Sequence, residues 1–188
     1  YTVKYGIQTH LLKASTEFDK DAYFLSLRGR GFLKFELNSY LETEIGFAIG
    51  ELNGKDFNNK NWSTQLFPTD LRLFFSPFKL NASSPYLYSG LGILRWNISK
   101  FPTSVSDKKS KEAGWALTIP VGGGIEILVG RKTILDISGG YSFTSSDDLN
   151  YFNSPKVKDG YYNLGIGLTF VMGSDKNDDD GDGLSNKF

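Results

Sequence analysis

Apolar and polar residues alternate along much of the chain, most clearly near its C-terminal end. In 161–172 every even position is apolar, whereas the odd positions include Asn163, Gly165, Gly167 and Thr169. A period of two residues is the pattern of a β-strand with one apolar face. A soluble strand with one buried face has the same pattern, so the fold class depends on how often the pattern recurs.

The pattern recurs often enough to predict about eight strands. They cover 2–13, 24–37, 40–52, 69–75, 85–99, 115–127, 135–143 and 161–172. In the fifth strand, either Leu87, Leu91 and Ile93 or the set that includes Trp96 could point outward; we favour the first set, which turns Gly90 and Gly92 inward. Pro120 has no N–H group, so the sixth strand should be bulged or locally unpaired at that residue.

The two faces of the predicted strands differ in charge. One face carries Lys4, Arg28, Arg30, Lys34, Glu36, Glu42, Glu44, Asp70, Arg72, Glu126 and Asp136. The other face is almost uncharged and holds large residues such as Phe35, Phe47 and Phe75. A soluble, lipocalin-like barrel would turn that face inward, but the interior of a barrel of about eight strands is too narrow for these large side chains. We therefore expect the apolar face to contact lipid and the charged residues to form an ion-pair network in the lumen.

Connections between the predicted strands alternate in length. Short turns are expected near Asn38, at 77–84 and near Gly130, and longer polar loops near Asp19, Asn58, Ser106 and Asn153. Bacterial outer-membrane barrels show this asymmetry, with an even strand number and with the short turns and both chain ends in the periplasm. Aromatic residues near predicted strand ends fit the girdles at membrane interfaces; they are Tyr1, Tyr5, Tyr40, Trp62, Trp115 and Tyr162.

The predicted fold is therefore all-β: an eight-stranded, antiparallel, up-and-down transmembrane barrel over 1–173, followed by a short acidic tail at 174–188. In strand number, loop alternation and a glycine-rich last strand, the chain resembles OmpA-like outer-membrane β-barrel domains. Gly165, Leu168 and Phe170 lie in a run similar to the C-terminal β-signal that the barrel-assembly machinery recognises, although Leu164 stands where a polar residue is usual.

The resemblance implies a location in the bacterial outer membrane, with outer-membrane lipid and the barrel-assembly machinery as partners. It also implies a non-enzymatic anchor whose tail enters the periplasm and leads to a peptidoglycan-binding domain. Other envelope proteins are further partners of such anchors, and the surface loops are available for interaction.

The acidic tail contains the sequence DDDGDGLSN at 178–186. Oxygen ligands at alternate positions of a loop with a glycine at the sixth can surround Ca²⁺. The ligands would come from Asp178, Asp180, Asp182, the carbonyl of Leu184, and Asn186, in an arrangement similar to the start of a thrombospondin type 3 repeat. The twelfth ligand would fall after Phe188, so we expect weak calcium binding. A plain acidic linker is the alternative.

The composition of the chain reduces the number of functional classes that remain. The 188 residues contain 21 basic and 21 acidic side chains, a balance that gives no basic surface for nucleic acid. Cysteine is absent, which excludes disulfides and thiolate metal sites. The sequence gives little evidence for a catalytic site. His10 is the only histidine and is predicted to face inward, and Glu42 and Glu44 lie among basic residues. A lipid A acylase or deacylase and an adhesion barrel acting through its loops remain the alternatives to an anchor.

Overall fold

The computed structural model describes residues 2–16, 26–56, 58–78, 83–102, 110–151 and 158–172. They form eight antiparallel strands in a closed barrel, in which each strand pairs with the next and the last pairs with the first. The strands are β1 (Val3–Ser15), β2 (Ser26–Glu36), β3 (Leu41–Lys55), β4 (Asn61–Phe75), β5 (Ser83–Lys100), β6 (Ala113–Gly130), β7 (Thr133–Thr144) and β8 (Gly160–Met172). The predicted fold class is confirmed. Within the described residues, no helix is long and apolar enough to cross a membrane.

The barrel closes without a break between its first and last strands. Their pairs run from Val3 opposite Met172 to Ser15 opposite Gly160. Both ends of the barrel domain therefore lie at one rim, together with the connections 37–40, 76–82 and 131–132. We call this the turn rim and the opposite one the loop rim. In β5 the favoured facing is observed, because Leu87, Leu91 and Ile93 are exposed and Trp96 is buried.

Proline interrupts the hydrogen-bonded ladder at two inward positions. The pairing of β6 with β5 stops at Val121 and resumes at Thr118 in the same register, so Pro120 has no partner on β5. Pro68 in β4 likewise has no partner on β3. A residue without an N–H group cannot donate to the neighbouring strand. Pro120 is thus locally unpaired, as predicted, and is not at a bulge.

The prediction of a long loop near Asn58 is wrong. β3 runs to Lys55 and β4 begins at Asn61, which leaves only 56–60 between them. Asp56 closes this turn, since its side chain accepts hydrogen bonds from the backbone N–H groups of Asn58 and Lys60 at 2.9 and 2.8 Å. Asn59 has a φ of 64°. At the loop rim the other three connections, 16–25, 101–112 and 145–159, are longer.

The barrel interior changes from charged to apolar along its axis. Charged residues fill the half near the turn rim. Towards the loop rim lies a buried apolar cluster, made of Leu12, Ala14, Leu52, Trp62, Leu66, Leu94, Trp96, Ile98, Ala116, Leu149 and Tyr161. Trp62 was predicted in an aromatic girdle, and that prediction is wrong because its side chain is inside the barrel and 1% exposed.

Candidate functional site: the charged lumen and the outer surface

The charged lumen near the turn rim is a cluster of lysine–glutamate pairs. Lys4 Nζ lies 2.6 Å from Glu42 and 3.6 Å from Glu126. Lys34 Nζ donates to Glu126 at 2.7 Å and lies 3.7 Å from Glu42 and 3.8 Å from Glu44. These residues come from β1, β2, β3 and β6, so the pairs connect strands across the lumen as well as adjacent ones.

Two arginines continue the network towards the middle of the barrel. Arg30 lies between Glu44 and Asp70, with N–O distances of 2.6 Å to each. Arg72 contacts the other oxygen of Asp70 at 2.8 Å. All four side chains are buried. A buried charge is tolerated when it is paired and its hydrogen-bonding capacity is used, and this arrangement meets that condition for both carboxylates.

Three further residues predicted in the network have different surroundings. Asp136 accepts hydrogen bonds from two neutral donors, Gln8 at 2.8 Å and Tyr86 at 2.8 Å. Glu36 is only half-buried, at the end of β2 and opposite Glu42. Arg28 is buried, yet among the described residues no carboxylate lies within ion-pair distance of it. The sequence placed all three on the correct face but could not give their partners.

Aromatic residues in the lumen were missing from the predicted network. Phe74, Tyr86 and Tyr88 form a buried cluster in which the Phe74 ring centroid lies 5.1 and 5.5 Å from the other two. Lys34 Nζ lies 4.0 Å from the Phe74 centroid, and Arg72 Cζ lies 4.9 Å from that of Tyr88. Cations over ring faces are attracted to the ring quadrupole. The alternation of the sequence could have indicated these aromatic residues, because Phe74 lies on the same face of β4 as Asp70 and Arg72.

Inward glycines make room for these large side chains. A Cβ on Gly46 would overlap the Arg30 guanidinium, and one on Gly165 would meet the His10 ring. Gly122 and Gly140 face the Tyr88 hydroxyl in the same way. The barrel therefore fills its lumen by opposing a large residue on one strand to a glycine on its neighbour.

The connection between β7 and β8 reaches into the loop-rim end of the barrel. Leu149 is fully buried in the apolar cluster. Its carbonyl accepts a hydrogen bond from Thr64 Oγ1 at 2.5 Å, and its N–H donates to Asp159 at 2.8 Å. These bonds fix the connection over the interior, which is thereby filled by charged residues at one end and by apolar residues at the other.

The outer surface carries a band of exposed large apolar residues. Every strand contributes to it, with Ile7, Leu27, Phe47, Leu71, Leu91, Leu117, Phe143 and Leu164 each more than half exposed. Of the predicted girdle residues, Tyr5, Tyr40, Trp115 and Tyr162 are exposed at this surface, and Tyr1 lies outside the described residues. Towards the loop rim the outward positions become polar, at Lys13, Glu51, Gln65 and Arg95.

The predicted β-signal residues take different positions on β8. Gly165 points into the lumen, Leu168 is exposed on the outer surface, and Phe170 is half-buried with its ring centroid 5.4 Å from that of Tyr5. Leu168 and Phe170 thus share the outward face of the closing strand.

His10 and the acidic tail complete the predicted site residues. His10 is 1% exposed, on the lumen side of β1 opposite Gly165. The predicted calcium ligands, from Asp178 to Asn186, lie outside the described residues, and the residues that are described contain no group of acidic or histidine side chains suited to a metal ion. Calcium binding therefore stays a prediction.

Comparison with known proteins gives matches in structure only. No family model matches the chain, and no curated protein matches it in sequence. The barrel is similar to Neisserial surface protein A, with a TM-score of 0.67 and 12% identity over 90% of this chain and 97% of that one. The fold is that of small outer-membrane β-barrels.

Two further solved structures support the same statement about the fold. Ail, the attachment invasion locus protein of Yersinia pestis, has a TM-score of 0.52 and 17% identity over 90% of this chain and 98% of its own. The outer membrane protein AlkL, whose structure was determined in lipid bilayers, has a TM-score of 0.54 and 11% identity over 92% of this chain and 90% of its own. These identities are low, so the similarity extends to the fold alone.

Proposed function

We propose that the protein is a non-enzymatic anchor in the bacterial outer membrane, with a closed lumen. The observation that carries the proposal is the apolar band around the closed barrel. Soluble monomers rarely expose apolar patches larger than about a few hundred Å². Here the large apolar residues face outward on all eight strands while the charges are inside, which suits a barrel surrounded by hydrocarbon.

A pair of arginine substitutions tests the membrane location. Leu71 lies within the apolar band, whereas Gln65 lies on the same strand and the same face beyond the band. An arginine facing the bilayer centre costs about 2–4 kcal/mol, and one near the interface costs little. We expect Leu71→Arg to reduce folding into lipid vesicles, measured as the heat-modifiable band on a gel, and Gln65→Arg to leave it unchanged. A monodisperse, detergent-free monomer of the unaltered protein would contradict the proposal.

The anchoring role is supported by the direction of the chain. Val3 and Met172 are paired at the turn rim, so the tail leaves the barrel there. In outer-membrane barrels short turns lie on the periplasmic side. The tail would then enter the periplasm and carry a following domain towards peptidoglycan. The barrel-assembly machinery would act on the outward residues Leu168 and Phe170.

The lipid-modifying alternative receives no support from the position of histidine. His10 is enclosed in the lumen, away from the outer face where a lipid substrate would lie. A histidine that acts as a general base must reach the proton it abstracts.

Recognition through the loop rim is a second candidate, favoured by its surface. Exposed basic residues occur there at Lys13, Lys60, Arg95, Lys100 and Lys111. A structure of Ail, similar to this chain with a TM-score of 0.52 and 17% identity over 90% of this chain and 98% of its own, is a complex with the heparin analogue sucrose octasulfate. Retention of the folded protein on immobilised heparin, compared with that of a Lys60→Gln/Lys100→Gln variant, tests this candidate. Equal elution of both proteins would remove it.

A further inference from the structure

Arg28 is a buried cation whose charge is not matched locally. Its side chain is 2% exposed, and its Nε and Nη2 atoms have no hydrogen-bond partner. The other basic residues of the lumen, Lys4, Arg30, Lys34 and Arg72, each lie within 3.0 Å of a carboxylate oxygen. Among the described residues, none supplies such an oxygen to Arg28. A buried charge without a partner is strongly unfavourable.

The residue opposite Arg28 on the neighbouring strand is a second buried donor without a partner. His10 is directly opposite Arg28 on β1, is 1% exposed, and has no partner for Nδ1. The Nε atoms of Arg30 and Arg72 are also without partners. Both of those guanidinium groups are already neutralised by Glu44 and Asp70. The charge of Arg28 therefore remains without a carboxylate at ion-pair distance among the residues that the structure describes.

Arg28 lies between the apolar cluster and the ion-pair network. This position limits the groups that can compensate its charge. On one side, its Cζ lies 5.7 Å from the ring centroid of Tyr161, which belongs to the apolar cluster. On the other side is the ion-pair network. Asp136 is a lumen carboxylate outside the ion pairs described above, and it is bonded to Gln8 and Tyr86. Neither side supplies Arg28 with a carboxylate at ion-pair distance among the described residues.

We propose that Arg28 and His10 bind a small monovalent inorganic anion, such as chloride, in the middle of the lumen. Nε and Nη2 of Arg28 donate to the anion, and Nδ1 of His10 donates when it carries the proton. One negative charge compensates one guanidinium, and a dianion would overcompensate it.

Salt-dependent unfolding of the full chain in detergent micelles tests the site. Sodium chloride, bromide, gluconate and sulfate are compared at matched ionic strength. Ligand binding to the folded state alone raises its stability with the logarithm of concentration, so we expect the unfolding midpoint to rise by about 2–4 °C for each tenfold increase in chloride or bromide above the dissociation constant. Gluconate and sulfate should not produce this rise. Arg28→Met should abolish the difference between salts, and Arg95→Met, which removes an exposed arginine, should retain it.

Two results would overturn the proposal. The first is an equal response to all four salts in the unaltered protein, which is expected if water or a carboxylate from 17–25 compensates Arg28. The second is an unchanged halide response in Arg28→Met. Crystals grown in bromide give an independent measurement that does not depend on the folding of the variant: an anomalous peak within hydrogen-bonding distance of Arg28 is expected, and its absence contradicts the site.

Discussion

At the scale of single residues, the alternation predicted which side chains face the lumen but not which ones meet. Lys34 and Glu126 are 92 positions apart in sequence and lie 2.7 Å apart in space. Their contact depends on the strand register and on barrel closure, which brings distant strands across a narrow lumen. From the sequence one can predict that the network has nearly equal numbers of acidic and basic residues. One can also predict that these residues share one face of the strands. The sequence does not show that, among the described residues, Arg28 has no carboxylate at ion-pair distance while Lys34 has several.

The opposition of glycine to large lumen residues gives a prediction at the same scale. Gly46→Ala would place a methyl group in the position of the Arg30 guanidinium and disturb its bonds to Glu44 and Asp70. Overpacking of a filled interior costs about 1–3 kcal/mol. We expect the urea midpoint for unfolding from lipid vesicles to fall accordingly.

Gly31 provides the matched control for Gly46. It lies on the adjacent strand β2, faces outward, and has no atom within 4 Å of an added Cβ. Gly31→Ala should therefore leave the midpoint unchanged or raise it slightly, because glycine weakens strands. Equal destabilisation by the two substitutions would show that the effect comes from the glycine backbone and not from Arg30.

At the scale of elements, the sequence predicted eight strands but made some of them too short. β4 was predicted to begin at Thr69 and begins at Asn61. The reason is a reversal of polarity along the strand. Near the turn rim the apolar residues point outward, whereas near the loop rim Leu66 and Trp62 point inward and Gln65 points outward. In the proposed membrane location the outer surface beyond the apolar band meets water, so the strand has the pattern of a soluble barrel there.

Leu149 is expected to hold the β7–β8 connection in place. Leu149→Asp would put a charge among the uncharged side chains of the apolar cluster, and taking a charge out of water into such surroundings is strongly unfavourable. We expect the connection to leave the interior and to become sensitive to protease in lipid vesicles, while the barrel stays folded. Lys111→Asp, an exposed change in the neighbouring connection, serves as the control. Equal protease resistance of the two variants would contradict the role of Leu149.

At the scale of the whole molecule, the predicted calcium ligands follow β8 in the sequence, and β8 ends at the turn rim. Without a metal ion the aspartates of 175–182 repel one another, and Ca²⁺ would neutralise them and order the backbone. We expect weak binding in this chain and tighter binding in a longer one that supplies the twelfth ligand. Calorimetric titration of the longer chain, beside its Asp180→Asn/Asp182→Asn variant, measures this. Identical heats for the two would leave a plain acidic spacer.

In the proposed closed lumen, two separate groups of side chains fill the interior, and this determines how conductance should respond to mutation. The ion-pair network closes the half near the turn rim, and the apolar cluster with Leu149 closes the half near the loop rim. Because the two lie in series along the axis, opening one of them leaves the other in place. Glu44→Gln removes a carboxylate between Arg30 and Lys34, and breaking a buried pair costs about 3–5 kcal/mol, so this variant should be less stable.

Planar-bilayer recordings test this arrangement. We expect no steady current from the unaltered protein and little from Glu44→Gln or Leu149→Asp alone. The double variant should conduct more than the sum of the two single variants, because only it loosens both closures. Glu51→Gln, which changes an exposed glutamate outside the lumen, should match the unaltered protein. Large, steady, porin-like currents from the unaltered protein would show that the lumen is open, and additive currents in the double variant would show that the two closures do not act in series.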